Sequence, residues 1–279
     1  PVLSPDEMAG HYAENDVAQA VRQGLLTGPG GAWDILSKRV EDIPAYRAGF
    51  DAVIGPEPIA FTDISDALAA FLDFEWRGVA SPFDLYLRNG TDMEPAAMRG
   101  MDLFYGKADC ASCHSGRFQT DHKFHAIAMP QIGPGKAARF ESHARDTGRM
   151  RVTGKASDAY AFRTPPLRNV AQTAPYGHTG AYAQLEGVIR HHLDPVTSLR
   201  TYDLSMAGLP DTDETDLQIT INTDEIENIA AANVLAPQSL SDAEINDLIA
   251  FLNALTDPQS IRGALGIPET VPSGLPVDR

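Results

Sequence analysis

The chain has 279 residues, with 22 Lys and Arg against 38 Asp and Glu, which gives a formal net charge of −16. Its 43% hydrophobic and 22% charged residues are typical of a folded globular protein rather than a disordered one. The acidic balance argues against nucleic acid as a partner, because phosphate binding needs clustered Lys and Arg. No apolar run approaches the roughly 20 residues that span a bilayer, so we expect no membrane span.

Helical signals dominate the chain. An apolar stripe predicts a helix over residues 63–76, with Thr62 or Asp63 as its cap. The stripe consists of Ile64, Ala67, Leu68, Phe71 and Leu72. A second predicted helix covers residues 95–104 and closes at Gly106. Because the connections between such segments are long, the expected class is mainly α with long loops.

Two further helices are predicted near the C-terminus. Ser241 and Glu244 form a capping box in front of a helix that reaches Leu255. A shorter helix is expected over residues 224–235. The one strand signal is a weak alternation over residues 217–221.

The chain has only two cysteines, and they stand in the sequence Cys110-Ala111-Ser112-Cys113-His114. This is the attachment pattern of c-type haem: two thiols at this spacing reach the haem vinyl groups, and the adjacent imidazole reaches the iron. A zinc site usually needs four protein ligands, and a redox dithiol usually follows a strand in a βαβ unit. Neither pattern is present in the sequence, which therefore predicts covalent haem c and a cytochrome c-like haem domain.

The second axial ligand of such a haem is usually Met or His. His192 continues an apolar stripe at helical spacing, which places it on the buried face of a predicted helix and His191 about 100° away. The other members of the stripe are Leu185, Val188 and Ile189. Met129 is a rival ligand, and spacing alone leaves the choice open.

The run FRTPPLRNVAQTAPYGHTG, residues 162–180, resembles the signature of the bacterial di-haem cytochrome c peroxidase family, which includes the maturase of methylamine metabolism. The resemblance continues through residues 185–192 and 240–255, and upstream through residues 66–77 and 100–106. It implies a periplasmic oxidoreductase that uses hydrogen peroxide, with a small redox protein as electron donor. A homodimer stays open.

The resemblance also assigns site residues. His114 falls at the proximal ligand of the family's C-terminal haem, and His192 falls where the peroxidases have Met and the maturases Tyr, which implies bis-histidine ligation. Thr173 and Pro175 match positions whose carbonyls hold a calcium ion in the family. Two arginines, Arg163 and Arg168, are candidate partners of the haem propionates, with a surface or helix-capping role as the alternative.

Family members carry two Cys-x-x-Cys-His motifs, whereas this chain has one. Residues 4–8 resemble the loop that carries the distal acid–base glutamate, and Glu7 matches that residue. A carboxylate there can move a proton from one peroxide oxygen to the other. Because the chain begins at Pro1 without an initiator Met, we expect it to be the C-terminal portion of a di-haem protein.

The expected domains follow from this resemblance. Residues 1–92 would be the remainder of the N-terminal, peroxidatic haem domain; residues 93–258 would form the C-terminal haem domain, and residues 259–279 a tail. Two alternatives stay open: a mono-haem electron-transfer cytochrome without catalysis, and a maturase-type di-haem enzyme that oxidises a protein substrate. A second haem-attachment motif in the precursor would exclude the mono-haem alternative.

Overall fold

The structure, a computed structural model, describes residues 2–4, 8–12, 14–132, 145–208 and 222–278. These residues contain twelve α-helices, four short 3-10 helices and one two-stranded sheet. The predicted mainly α class with long loops is confirmed. Among the described residues, no helix has both the length and the apolar character needed to cross a membrane.

The chain divides into two compact units, and the first consists of Pro1–Arg77 together with Arg262–Arg279. A small core of Val17, Ala20 and Ala32 joins its first two helices. At the end of its last helix the buried carboxylate of Glu75 accepts hydrogen bonds from the backbone N–H groups of Leu265 (2.7 Å) and Gly266 (3.2 Å). The helices are α1 (Asp16–Arg22), α2 (Ala32–Glu41), α3 (Pro44–Ile54) and α4 (Phe61–Glu75).

Helix α4 differs from its prediction at the N-terminus and in its environment. It begins at Phe61, so Asp63 lies in the first turn and its carboxylate accepts a hydrogen bond from the Ala60 N–H at 2.8 Å. The apolar stripe is present but largely exposed, with Leu68 at 54% and Leu72 at 52% exposure. Periodicity therefore predicted the helix correctly, although it does not show whether a stripe has a partner.

The second unit, Gly78–Ile261, contains the haem-attachment motif. Strands β1 (Phe124–His125) and β2 (Phe162–Arg163) pair antiparallel, with His125 opposite Phe162. The helices are α5 (Pro82–Asn89), α6 (Pro95–Tyr105), α7 (Met150–Thr153), α8 (Leu185–Leu193), α9 (Pro195–Arg200), α10 (Thr223–Ala231) and α11 (Asp242–Ala254), followed by α12 (Pro258–Arg262) at the boundary between the units.

The core of this second unit forms where α6 crosses α11. Gly100 permits the crossing, because a Cβ there would lie 1.9 Å from the carbonyl oxygen of Asp247. Phe104 from α6 and Phe83 from α5 both pack on Phe251, with ring centroids 5.2 Å apart in each case. Helix α5 is therefore part of this unit. The predicted boundary between the two haem domains, after residue 92, stays a prediction.

The predicted helix ends in this unit follow local signals. Helix α6 closes at Gly106, and α11 begins after the predicted capping box, with the Glu244 N–H donating to Ser241 Oγ. Helix α10 ends at Ala231, earlier than expected, because Ala232 already serves as its C-cap. The weak strand predicted over residues 217–221 lies outside the described residues.

Candidate haem site

The haem-attachment motif forms a tight turn directly after α6. Residues Cys110–Ser112 make one 3-10 turn, and the N–H of His114 donates to the Cys110 carbonyl at 2.9 Å. Both cysteines are half-buried. Burial, with the nearby charge of Asp109, raises the pKa of the Cys110 thiol to about 11.

His114 is held as a neutral imidazole in one tautomer. Its Nδ1 lies 3.1 Å from the carbonyl oxygen of Gln119. Because a carbonyl only accepts hydrogen bonds, Nδ1 carries the proton and Nε2 keeps its lone pair. Burial, together with the nearby His192, lowers the pKa of His114 to about 4. Orientation of a ligating imidazole by a hydrogen bond from its other nitrogen is usual in metal sites.

His192, in the last turn of α8, has the same arrangement. Its Nδ1 donates to the Val188 carbonyl one turn earlier at 2.7 Å, which leaves the Nε2 lone pair available. Burial lowers the pKa of His192, so this ring is also neutral.

The rings of His114 and His192 lie at a separation that suits one metal ion between them. Their centroids are 6.5 Å apart, and their planes are inclined by 59°. An imidazole nitrogen binds a first-row metal at about 2.0 Å, so rings on opposite sides of one ion have centroids about 6 Å apart. Two neutral imidazoles with available Nε2 lone pairs at this separation suit an iron ion between them.

His191 is more buried than its position off the apolar stripe suggests. The helical stripe placed His192 on the buried face and His191 about 100° away, yet His191 is the fully buried residue and His192 is only partly buried. Helix α8 is covered on more than one side, so the ring of His191 is enclosed as well. Its Nε2 lies 2.7 Å from the Ile127 carbonyl, and its Nδ1 lies 3.0 Å from the hydroxyl of Tyr182. Both nitrogens are engaged, so His191 has no lone pair left for iron.

Met129, the rival ligand, is buried in a separate apolar cluster. It packs with Ala181 and Tyr182, and its sulfur would lie 2.8 Å from a Cβ placed at Gly177. This packing accounts for the burial of its thioether. The assignment of His192 as the distal ligand stays a prediction.

The two candidate propionate partners differ in their surroundings. Arg163 is exposed on β2. Arg168 forms a bidentate pair with Asp84, at 2.8 Å for both contacts, and also donates to the carbonyls of Gly78 and Arg117, each at 3.0 Å. These contacts leave Arg168 one N–H for any further acceptor. The propionate role of each arginine stays a prediction.

The remaining predicted site residues are exposed or lie outside the described residues. Thr173 and Pro175 are exposed, and the Thr173 hydroxyl donates to the Val170 carbonyl at 3.1 Å. Calcium takes six to eight oxygen ligands, so these two residues would supply only part of a shell. Glu7 lies outside the described residues.

Sequence reasoning missed two contributors to the site. The carbonyl of Gln119, which orients His114, depends on the loop after the motif and leaves no signal in residue type. The pairing of Tyr182 with His191 joins residues at no helical spacing, so periodicity could not reveal it.

Comparison with known proteins identifies relatives of the chain. Residues 1–92 match the family described as di-haem cytochrome c peroxidase. The chain is 27% identical over 264 residues to cytochrome-c peroxidase IdrP1 of Pseudomonas sp. strain SCT. The alignment covers 86% of this chain and 61% of that protein. It is 35% identical over 164 residues to methylamine utilization protein MauG of Methylorubrum extorquens. That alignment covers 57% of this chain and 43% of that protein. This chain is related to the di-haem cytochrome c peroxidases.

These matches confirm the predicted resemblance to this family, whose description names two haems. The fold agrees: the crystal structure of the Y463M variant of diheme peroxidase BthA from Burkholderia thailandensis matches with a TM-score of 0.53 and 24% identity. That match covers 100% of this chain and 65% of the BthA chain, and supports the cytochrome c-like fold. The chain spans less than two thirds of the length of these relatives.

Proposed function

We propose that this chain carries an electron-transfer c-type haem, attached through Cys110 and Cys113, within a peroxide-reducing oxidoreductase of the bacterial periplasm. The observation that carries the proposal is the pair of neutral imidazoles, His114 and His192, with centroids 6.5 Å apart. When bound, the haem supplies one-electron transfer at its iron.

The two histidines indicate whether this haem would transfer electrons or bind peroxide. If His114 and His192 both bind the iron, no axial position is left for peroxide. The hydrogen bonds from each Nδ1 to a carbonyl fix the rings before the iron binds, so little reorganisation accompanies a change of iron charge. Such a site suits transfer of electrons better than binding of a substrate.

Peroxide chemistry would then occur at a second haem, for which Glu7 would be the proton-transfer residue. Reduction of hydrogen peroxide consumes two electrons and two protons and yields two waters, and the proposed role of Glu7 is to move a proton between the peroxide oxygens. A small redox protein would supply the electrons, and the carbonyls of Thr173 and Pro175 would supply part of a calcium site.

The test uses the native holoprotein with a reduced small cytochrome as donor and hydrogen peroxide as oxidant. We expect peroxide-dependent oxidation of the cytochrome, and two haems per native protein by pyridine haemochrome. Glu7→Gln should suppress turnover and leave the spectrum of the His114 haem unchanged. Glu57→Gln, which alters an exposed acid, should have no effect. A cytochrome that stays reduced in the presence of peroxide would contradict the proposed activity, and full turnover by Glu7→Gln would contradict the role of Glu7.

A further inference from the structure

A buried hydrogen-bonded chain lies directly beside His192. His191 Nε2 is 2.7 Å from the Ile127 carbonyl, which can only accept, so Nε2 carries the proton and Nδ1 is an acceptor. The Tyr182 hydroxyl, 3.0 Å from Nδ1, must therefore donate to it. The direction of every hydrogen bond in this chain is thus determined: the phenol proton points at an imidazole lone pair.

Both partners are withdrawn from solvent. Tyr182 is 2% exposed and His191 is 0% exposed. A proton that leaves the phenol can therefore go only to the imidazole, since bulk water does not reach the pair. The hydrogen bonds to each other and to the Ile127 carbonyl satisfy the polar atoms of both side chains.

The pair forms part of a continuous row of rings. The centroids of His114 and His192 are 6.5 Å apart, those of His192 and His191 6.1 Å, and those of His191 and Tyr182 5.5 Å. Beyond Tyr182, the ring of Tyr202 follows at 5.6 Å and is partly exposed. The row leads from the proposed iron ligands toward the surface.

We propose that Tyr182 is a redox-active residue, which gives one electron to the bound haem through His191 and His192 and its phenolic proton to Nδ1 of His191. The inference rests on the proposed function for its oxidant, hydrogen peroxide. The O–H bond of Tyr182 breaks and an N–H bond forms on His191, which leaves a neutral phenoxyl radical and an imidazolium ion. The small redox protein then reduces the radical, so that two such cycles, with two protons from solvent, reduce one hydrogen peroxide to two waters.

The hydrogen bonds distinguish Tyr182 from its neighbour. An oxidised phenol is a far stronger acid than an imidazolium ion, so the proton moves to His191 as the electron leaves. The hydroxyl of Tyr202 donates to the Ala181 carbonyl at 2.6 Å, and an amide carbonyl is too weak a base to take that proton. Tyr202 therefore lacks the acceptor that makes oxidation of Tyr182 reversible. An electron and the returning proton restore the resting pair.

The experiment is rapid-freeze EPR on the holoprotein after mixing with hydrogen peroxide. We expect an organic radical whose hyperfine splitting changes when the protein contains ring-deuterated tyrosine. Tyr182→Phe, which keeps the ring, should abolish it, whereas Tyr202→Phe and Tyr160→Phe should retain it. His191→Gln, which keeps a hydrogen-bond acceptor but cannot take the proton, should also abolish it.

A second oxidant separates this inference from the proposed function. Hexachloroiridate(IV) withdraws single electrons without peroxide chemistry, and we expect it to produce the same Tyr182-dependent radical. A radical with hexachloroiridate, together with neither a radical nor turnover in the presence of peroxide, would contradict the peroxidase proposal and support the redox role of Tyr182. Peroxide turnover without a radical that depends on Tyr182, or an unchanged radical in Tyr182→Phe, would overturn the inference.

Discussion

Single buried side chains join segments that are distant in the chain. Asp257, which is 1% exposed, is the clearest case. One carboxylate oxygen accepts hydrogen bonds from the N–H groups of Val79 and Ala80, both at 2.7 Å, and the other accepts from Gln259 at 2.8 Å. Burial raises the pKa of this carboxyl, but the backbone N–H groups outweigh burial and hold the pKa below its ordinary value. The residue thereby fixes the start of the second unit to its end.

We expect Asp257→Asn to lower the free energy of unfolding by about 2 to 3 kcal/mol, because an amide nitrogen would face backbone N–H groups that now have a charged acceptor. Urea denaturation of the holoprotein measures the change. Asp92→Asn, at an exposed position, is the matched control and should leave the midpoint unchanged. Equal midpoints for both variants would contradict the role of Asp257.

The stabilisation by the Asp257 carboxylate should decrease as the pH falls. Because the pKa of Asp257 is lower in the folded than in the unfolded protein, its contribution is complete above the unfolded value and is lost as the pH falls through the folded value. Denaturation midpoints are measured from pH 6 downward. Below about pH 4, the midpoint of the wild type should fall more steeply with pH than that of Asp257→Asn. Parallel curves would contradict this contribution.

At the scale of elements, the crossing of α6 and α11 determines the core of the second unit. A Cβ at Gly100 would lie 1.9 Å from the Asp247 carbonyl oxygen and 2.8 Å from the Phe251 side chain. The helices cannot approach this closely with any larger residue, because the carbonyl belongs to a rigid backbone. The haem-attachment turn follows α6 in the chain.

Gly100→Ala should therefore destabilise the protein by about 1 to 3 kcal/mol through overpacking, despite the better helix propensity of Ala. Thermal denaturation gives the comparison. Gly49→Ala is the matched control: Gly49 lies within α3 with nothing near the place of its Cβ, so it should gain up to about 1 kcal/mol. A Gly100→Ala variant as stable as Gly49→Ala would show that the crossing can relax.

A structural feature could be predicted from the sequence where its physical cause lies within a few neighbouring residues. The capping box of α11 and the end of α6 at Gly106 were predictable, because caps lie within a few residues of the helix they end. The burial of His191 was not, since it depends on what covers a second face of α8. The exposed stripe of α4 was equally invisible to periodicity.

At the scale of the whole molecule, two cysteines and two histidines would join a cofactor to the second unit. The attachment turn follows α6, whereas His192 lies at the end of α8, so an iron between the histidines would connect two distant parts of that unit. The motif was readable from five consecutive residues. The distal ligand was not readable from spacing, and its assignment rests on the resemblance and on the distance between two rings.

We expect the haem to stay on the polypeptide during acid–acetone extraction, because thioether bonds to Cys110 and Cys113 survive the treatment that removes coordinated haem. The double variant Cys110→Ser, Cys113→Ser should release its pigment to the solvent. Ser112→Ala, between the two cysteines, is the control and should retain it. Wild-type haem that passes into the acetone phase would contradict covalent attachment.

The most direct test of bis-histidine ligation is the spin state of the ferric haem attached through Cys110 and Cys113. Optical and EPR spectra should show a low-spin haem without the sulfur-to-iron charge-transfer band of Met ligation. His192→Ala should convert it to high spin, and neither Met129→Leu nor His191→Gln should do so. A sulfur charge-transfer band in the wild type, or a haem that stays low-spin in His192→Ala, would contradict the assignment of His192 as the distal ligand.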